Sequence, residues 1–340
     1  MTRVKVAAKR AGGLELAGGR EPSAETHGLP WVLPERPRIS LLVKRSLYSI
    51  FVEEKRDERM QELLLRGDST VSRLEEAHAA HDRAISEVRA ALDAIDAEVT
   101  ELDRFPDEGV TLQADLIVSV GGDGTLLRAS HAAGTAPVLG VNSAPDHSVG
   151  FFCGTRGATL LDALRRAQSG KIARATLTRM EVTVGDRVIS SRVLNDALFC
   201  HASPAATSRY IIELATRERD GLPSETIIEE QKSSGFWIGP AAGSTAAQCS
   251  AGGKVLPLES DALQLVVREP YTPKDERYRL RHTLVQPGEE LVVRSKIRDA
   301  TLFVDGPDEV HRAGYGDVLR FRKADVPLVI LGLHAKRRWR

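Results

Sequence analysis

The 340-residue sequence predicts an α/β N-terminal domain with an open, mostly parallel sheet, followed by an all-β layered C-terminal domain. Three observations carry that reading. Compact apolar runs at 39–43, 116–120 and 138–141 alternate with amphipathic helical stretches, the pattern of strands joined by crossover helices. Beyond residue 176 the texture changes to short β-forming runs separated by Gly, Pro and Asp turns. A composition of 42% hydrophobic and 28% charged residues can bury two cores and excludes a disordered or fibrous chain.

Residues 1–37 lack periodic apolar positions and end in a Pro34-Glu-Arg-Pro37 stretch, so they read as a disordered leader. Arg3, Lys5, Lys9 and Arg10 faintly suggest a transit peptide, but Gly12, Gly13, Gly18 and Gly19 would break its helix, and a cytoplasmic location is expected. The α/β domain spans 38–175. After the strand at 39–43, a helix over 71–95 repeats Leu74, Ala77, His81, Ile85, Val88, Leu92 and Ile95 every three or four residues. His81 on that stripe reads as a packed histidine. A strand at 98–103, the two buried strands and a helix at 160–167 complete the domain. The β-rich domain spans 176–310, with runs at 181–184, 188–190, 210–214, 234–238, 263–267, 290–294 and 300–304. Residues 311–340 form a C-terminal segment whose strand at 326–333 can return to the first domain.

Lysine plus arginine and aspartate plus glutamate both number 47, which removes the simplest case for a nucleic-acid partner. No apolar stretch approaches about 18 residues, so no membrane span is expected. Cys153, Cys200 and Cys249 lack metal-ligand spacing and read as buried thiols of a reducing compartment. The histidines form no ligand constellation, and no metal-binding residue is assigned.

The most informative segment is Leu116-Ile-Val-Ser-Val-Gly121-Gly122-Asp123-Gly124-Thr125-Leu126-Leu127-Arg128. A parallel strand runs into three glycines and then into residues able to start a helix, at the end of the sheet where ligands bind. Glycines there let backbone amides approach a phosphate. A carboxylate among such amides suits a base toward a hydroxyl or a metal contact, while a turn aspartate bonding its own loop is the equally weighted alternative. Leu194-Asn195-Asp196-Ala197 offers an amide and a carboxylate that can grip ribose hydroxyls, or an ordinary Asn-Asp turn. From Gly235 to Gly253, Gly, Ala, Ser and Thr dominate, including Gly243-Ser-Thr-Ala246 and Ser250-Ala-Gly-Gly253, a composition suited to a close-fitting polar pocket.

Together these segments resemble the NAD kinase family in order and spacing, over roughly residues 38–335. The glycine loop is shared with diacylglycerol and sphingosine kinases and phosphofructokinases; its combination with the two later motifs is specific. Gly140-Val-Asn142-Ser-Ala-Pro145-Asp-His-Ser148-Val-Gly150 and Gln231-Lys-Ser-Ser-Gly235 look like the mitochondrial-type branch, although Ser234, Ala247 and Pro240 replace residues common in the family. The resemblance implies an NAD kinase/diacylglycerol kinase-like fold and transfer of the γ-phosphate of ATP to the 2′-hydroxyl of the adenosine ribose of NAD, giving NADP. It implies Asp123 as general base, with Gly121, Gly122, Gly124, Thr125 and Arg128 around it. Asn195 and Asp196 would hold ribose and adenine groups, Thr245, Ala246 and Ser250 would line the pocket, and Lys232 would meet phosphate. Mg²⁺ would ride mainly on the ATP phosphates, and a homodimer or homotetramer is expected. The alternatives are a lipid kinase of the diacylglycerol/sphingosine type and a non-catalytic NAD-binding regulatory protein.

Overall fold

The computed structural model describes residues 31–334 apart from 103, 108, 220, 222 and 273–276. Residues 1–30 of the expected leader therefore lie outside the described part. Residues 31–37 pack against the first domain: Leu33 is buried, its N–H donates to the Ala167 carbonyl, and Trp31 joins the same core. Two apolar side chains in seven residues are enough to anchor this stretch.

The first domain runs β1 (Arg38–Val43), α1 (Glu58–Leu65), α2 (Leu74–Asp93), β2 (Glu98–Leu102), β3 (Leu116–Gly121), α3 (Asp123–Ala132), β4 (Val138–Asn142), β5 (Thr155–Arg156), α4 (Leu160–Gln168) and β6 (Arg174–Leu177). In the sheet the order is β2-β1-β3-β4, then the C-terminal strand Leu328–Leu331, then β6, with β5 beside β4. The pairs from β2 to Leu328–Leu331 are parallel, and β6 closes the edge antiparallel. All six residues of β3 are buried because helices cover both faces. Val118 and Val120 meet Val88 and Leu92 of α2 and Leu160 and Leu164 of α4, while Ile117 meets Leu126 and Ala129 of α3.

Chain direction makes this sheet a doubly wound one. The connection from β1 leads to β2 on one side, and the connection from β3 leads through α3 to β4 on the other. Between the carboxyl ends of β1 and β3 the winding reverses, and there a crevice must open. Between β1 and α2 the sequence reading passed over a π-helical turn at Ser49–Glu54 and the whole of α1. Neither buries a single residue fully, and at six and eight residues each is too short for an apolar stripe to repeat.

The β-rich part consists of two six-stranded antiparallel sheets sharing one core. Strand Glu309–Ala313, which crosses residue 310, and strand Val318–Lys323 beyond it also pair into these sheets. The reading did not anticipate Glu225–Ser233 or His282–Val285, edge strands in which few residues are buried. Where the sheets meet, Phe199 stacks on Phe236 at 5.2 Å, and Tyr210 and Phe321 stand edge-on to Phe236 at 5.3 and 5.9 Å. Of the cysteines expected to be buried only Cys153 is; Cys200 is half-buried and Cys249 exposed, because it lies on a short surface helix, Ala247–Ser250. Among the described residues no helix is long and apolar enough to cross a membrane.

Phe236 touches aromatic partners from both sheets, so its removal leaves a cavity that neither sheet can close. Phe236→Ala is expected to cost about 3–5 kcal/mol of unfolding free energy in a denaturant titration.

Candidate functional site

A cleft of about 930 Å³ opens at the point where the winding reverses. Lys44, one residue past β1, forms one lip, and Gly121, Gly122, Asp123, Gly124, Thr125 and Arg128 form the other. His78 and His81 of α2, His147 and Ser148 from the loop after β4, and Asp305, Asp308 and Glu309 from the β-rich part complete the lining.

Crowding explains the loop glycines. None of Gly121, Gly122 and Gly124 has positive φ. A Cβ on Gly121 would fall 2.1 Å from Thr125 Oγ1, and one on Gly122 would fall 2.6 Å from Ser148 Oγ. At Gly124 the space is open. Asp123 opens α3, and its carboxylate reaches across to the loop after β4. Oδ2 accepts from the Phe151 N–H at 2.8 Å and Oδ1 from the Phe152 N–H at 2.7 Å. Two amides on two oxygens fix the plane of the carboxylate while leaving each oxygen a further lone pair.

Asp305 is the second organising carboxylate. In the third sheet Ala197 pairs with Ile238 on one side and Val304 on the other, so Asn195 and Asp196, Gly239 and Asp305 all emerge at one end. Asp305, at φ +48, accepts from the N–H groups of Leu194 and Asn195 at 2.7 Å and of Asp196 at 3.0 Å. His131, in the last turn of α3, places Nε2 2.7 Å from Asp305 Oδ2 and Nδ1 3.5 Å from Glu309. Neither Asp305 nor His131 was among the residues the sequence singled out, and Asp305-Gly306 looks locally like a plain turn. A turn signal carries no information about the amides that the turn will meet.

Gly243 is where the Asn-Asp segment and the Gly-Ser-Thr-Ala segment touch: a Cβ there would lie 1.7 Å from the Asn195 carbonyl oxygen. The side-chain Oδ1 of Asn195 is buried with no hydrogen-bond partner among the described residues. Thr245, Ala246 and Ser250 follow on a 3₁₀ turn and short helix, with Ala246 and Ser250 exposed. Burial, and then the nearby Asp305 carboxylate, push the Asp196 pKa from 3.8 up to about 7.

Not every expected residue converges. Lys232 sits in strand Glu225–Ser233 of the other β-sheet, opposite Arg209, beyond the corner at Gly235 and so at the far end from Gly239. It does not line the cleft of its own chain. Arg128 lines the cleft, its guanidinium 4.4 Å above the Phe105 ring. His81 is packed as expected: Nε2 donates to the Lys44 carbonyl at 2.6 Å, leaving Nδ1 to accept from Ser143 Oγ at 2.8 Å. Burial holds its pKa below 6.5, in keeping with that neutral ring. Lys44 was missed, although it directly follows an apolar strand; the winding rule identifies it once the strand order is known. Its side chain is exposed to the cleft, with no ion-pair partner among the described residues. No group of three or more His, Cys, Asp or Glu able to hold a metal occurs among the described residues.

Gly121→Ala is expected to lower the melting temperature, whereas Gly124→Ala keeps it near wild type, since its methyl points into free space; thermal denaturation of the pair checks this. Asp196 sets a pH trend. Its folded pKa exceeds the unfolded one, so the fold keeps a proton that the unfolded chain loses, and stability falls as pH rises from about 4 through about 7. In Asp196→Asn the drop in melting temperature between about pH 5 and about pH 8 shrinks.

A family model described as the ATP-NAD kinase N-terminal domain matches residues 36–164. The chain is 35% identical over 231 residues to a probable NADH kinase of Oryza sativa subsp. japonica, covering 63% of this chain and 70% of that one. To an NADH kinase of Arabidopsis thaliana it is 30% identical over 297 residues, 78% of this chain and 87% of that one. Among solved structures, an NAD kinase from Archaeoglobus fulgidus in complex with ATP matches with a TM-score of 0.57 at 18% identity, over 86% of this chain and 92% of that one. Yeast NADH kinase complexed with NADH matches with a TM-score of 0.58 at 15% identity, over 87% and 83%. These two structural matches share the fold, a mostly parallel α/β sheet followed by antiparallel sheets. The lipid-kinase alternative is not favoured. Identity of this level across most of the plant relatives establishes that the chain belongs to the NAD kinase family and is a phosphotransferase.

Proposed function

We propose that the enzyme transfers the γ-phosphoryl group of ATP to the 2′-hydroxyl of the adenosine ribose of NAD, giving NADP. The observation that carries this reading is Asp123, a carboxylate fixed by two amides on the wall of the cleft. A ribose hydroxyl attacks only when its proton has an acceptor, and Asp123 supplies one. Phosphoryl transfer otherwise asks for alignment and charge stabilisation. The amides of residues 122–124 at the start of α3 and the Lys44 ammonium provide these for the triphosphate.

The acceptor dinucleotide lies against the second domain. Asn195, with its buried and unpartnered Oδ1, takes a ribose hydroxyl, and Asp196 takes an adenine or ribose group beside it. Thr245, Ala246 and Ser250 line this seat. ATP enters as its Mg²⁺ complex, for which one or two carboxylates and the phosphates themselves suffice as ligands; Asp308 and Asp107 line the cleft nearby, and no dedicated cage is needed. The ion neutralises charge on the β- and γ-phosphates. Lys232 lies away from its own cleft, so its contact with phosphate requires a second copy docked through the β-rich domain, as a homodimer or homotetramer would provide.

Incubating the purified protein with ATP and either NAD or NADH tests the reading, with NADP or NADPH as the expected product. Asp123→Asn is expected to lower kcat by at least about 10²-fold while NAD affinity stays within a few-fold; near wild-type turnover would sink the assignment. Lys44→Ala is expected to raise the KM for ATP about tenfold and leave that for NAD unchanged, as loss of one charged contact predicts.

A further inference from the structure

Helix α3 carries Asp123 at its first residue, and its ten residues span about 15 Å. At the other end Leu112, of the same domain, gives its N–H to the Ala132 carbonyl at 3.0 Å, but the neighbouring carbonyls are held from the β-rich part. An α-helix ends with carbonyls that have no partner within the helix, and here two arginines of the β-rich part take them. Arg192 Nη1 donates to the His131 carbonyl at 2.6 Å and to the Val110 carbonyl at 3.0 Å, while Nη2 donates to Thr111 Oγ1. Arg179, between β6 and strand Met180–Val184, is fully buried, and its Nη2 donates to the Ala133 carbonyl at 2.8 Å.

Two features show that this contact is built rather than incidental. Strand Arg187–Val193 slips against Met180–Val184: Met180 pairs with Val193 but Val182 with Ser190, so the Arg192 strand spends one extra residue there. Such a bulge re-aims a side chain. Second, two guanidinium groups share one buried neighbourhood. Burial and then the Arg192 charge push the Arg179 pKa down to about 10, partly offset by Asp305, and its Nε has no hydrogen-bond partner among the described residues. Cations at a helix carboxyl end are favoured by the helix dipole, which offsets part of that cost.

We propose that Arg192, supported by Arg179, is a positioning residue for phosphoryl transfer: it bolts the carboxyl end of α3 and the 109–115 segment to the strand leading into Leu194–Asp196. This rests on the proposed NAD kinase reaction. Arg192 stands two residues before the segment that would grip the acceptor, and α3 starts with the proposed base. Acceptor and base are thereby carried on one rigid body spanning the two domains. A planar guanidinium bonds three acceptors at once, which a lysine ammonium on a flexible stem does with poorer geometry.

The test compares wild type, Arg192→Ala and Arg192→Lys in steady-state kinetics, in hydrogen exchange and in the presence of millimolar guanidinium. Arg192→Ala is expected to lower kcat about 10- to 100-fold with KM for NAD and ATP within about twofold, as a small misplacement of reacting groups predicts. Guanidinium should restore part of kcat where equal sodium chloride does not, and Arg192→Lys should recover only a fraction. Amides of α3 and of residues 109–115 should exchange faster in Arg192→Ala while those of β3 do not. Unchanged kcat and exchange in Arg192→Ala, or loss of activity that tracks global unfolding without rescue, overturns the proposal. A wild-type protein that phosphorylates neither NAD nor NADH overturns the proposed reaction instead, and the exchange pattern then still decides whether the bolt exists.

Discussion

The structure depends most on one buried carboxylate, that of Asp305. It stands where the third sheet faces the first domain and takes up three consecutive backbone amides, those of Leu194, Asn195 and Asp196, together with the ring of His131. Removing a carboxylate from water costs several kcal/mol unless hydrogen bonds replace its hydration. Here they do, and the same bonds satisfy three N–H groups that no strand partner reaches. Because His131 belongs to the helix that begins at Asp123, the contact that shapes the 194–196 turn also ties that turn to the glycine loop.

From that tie the division of labour follows. The parallel sheet supplies a crevice because its winding reverses between β1 and β3, and the crevice inherits whatever residues end those strands: Lys44 on one, the glycines and Asp123 on the other. The antiparallel sheets supply a ledge, where Gly239 and Gly243 let two loops lie in backbone contact. Neither half contains a complete site. Apolar packing reinforces the joint, since Leu194 and Ala242 share a core with Leu126 and Ala129 of α3.

Legibility in the sequence followed the range of the interactions. Strands such as β3 and β4 were readable because two covered faces demand an unbroken apolar run, and α2 because one covered face demands a stripe. Asp123 was readable because three glycines around a carboxylate are an unusual local choice. Asp305, Arg179 and Arg192 were not, since their partners lie 46 to 174 residues away in sequence, counting the Arg179 bond to Ala133 and the Asp305 bond to His131. An arginine in a β-strand looks like a solvated one until a bulge turns it. Lys232 shows the converse: a motif position that resembles a phosphate contact in the sequence does not line the cleft of the single chain.

The central claim, that a carboxylate in the glycine loop activates a ribose hydroxyl of a dinucleotide, is tested most directly by the site of phosphorylation. The protein is supplied with ATP labelled at the γ-phosphate and with NAD, and the labelled product is mapped by ³¹P magnetic resonance and mass spectrometry. The account predicts label on the 2′-oxygen of the adenosine ribose alone, lost in Asp123→Asn. Label on another oxygen, or dinucleotide binding with no ATP-dependent product at all, would contradict it.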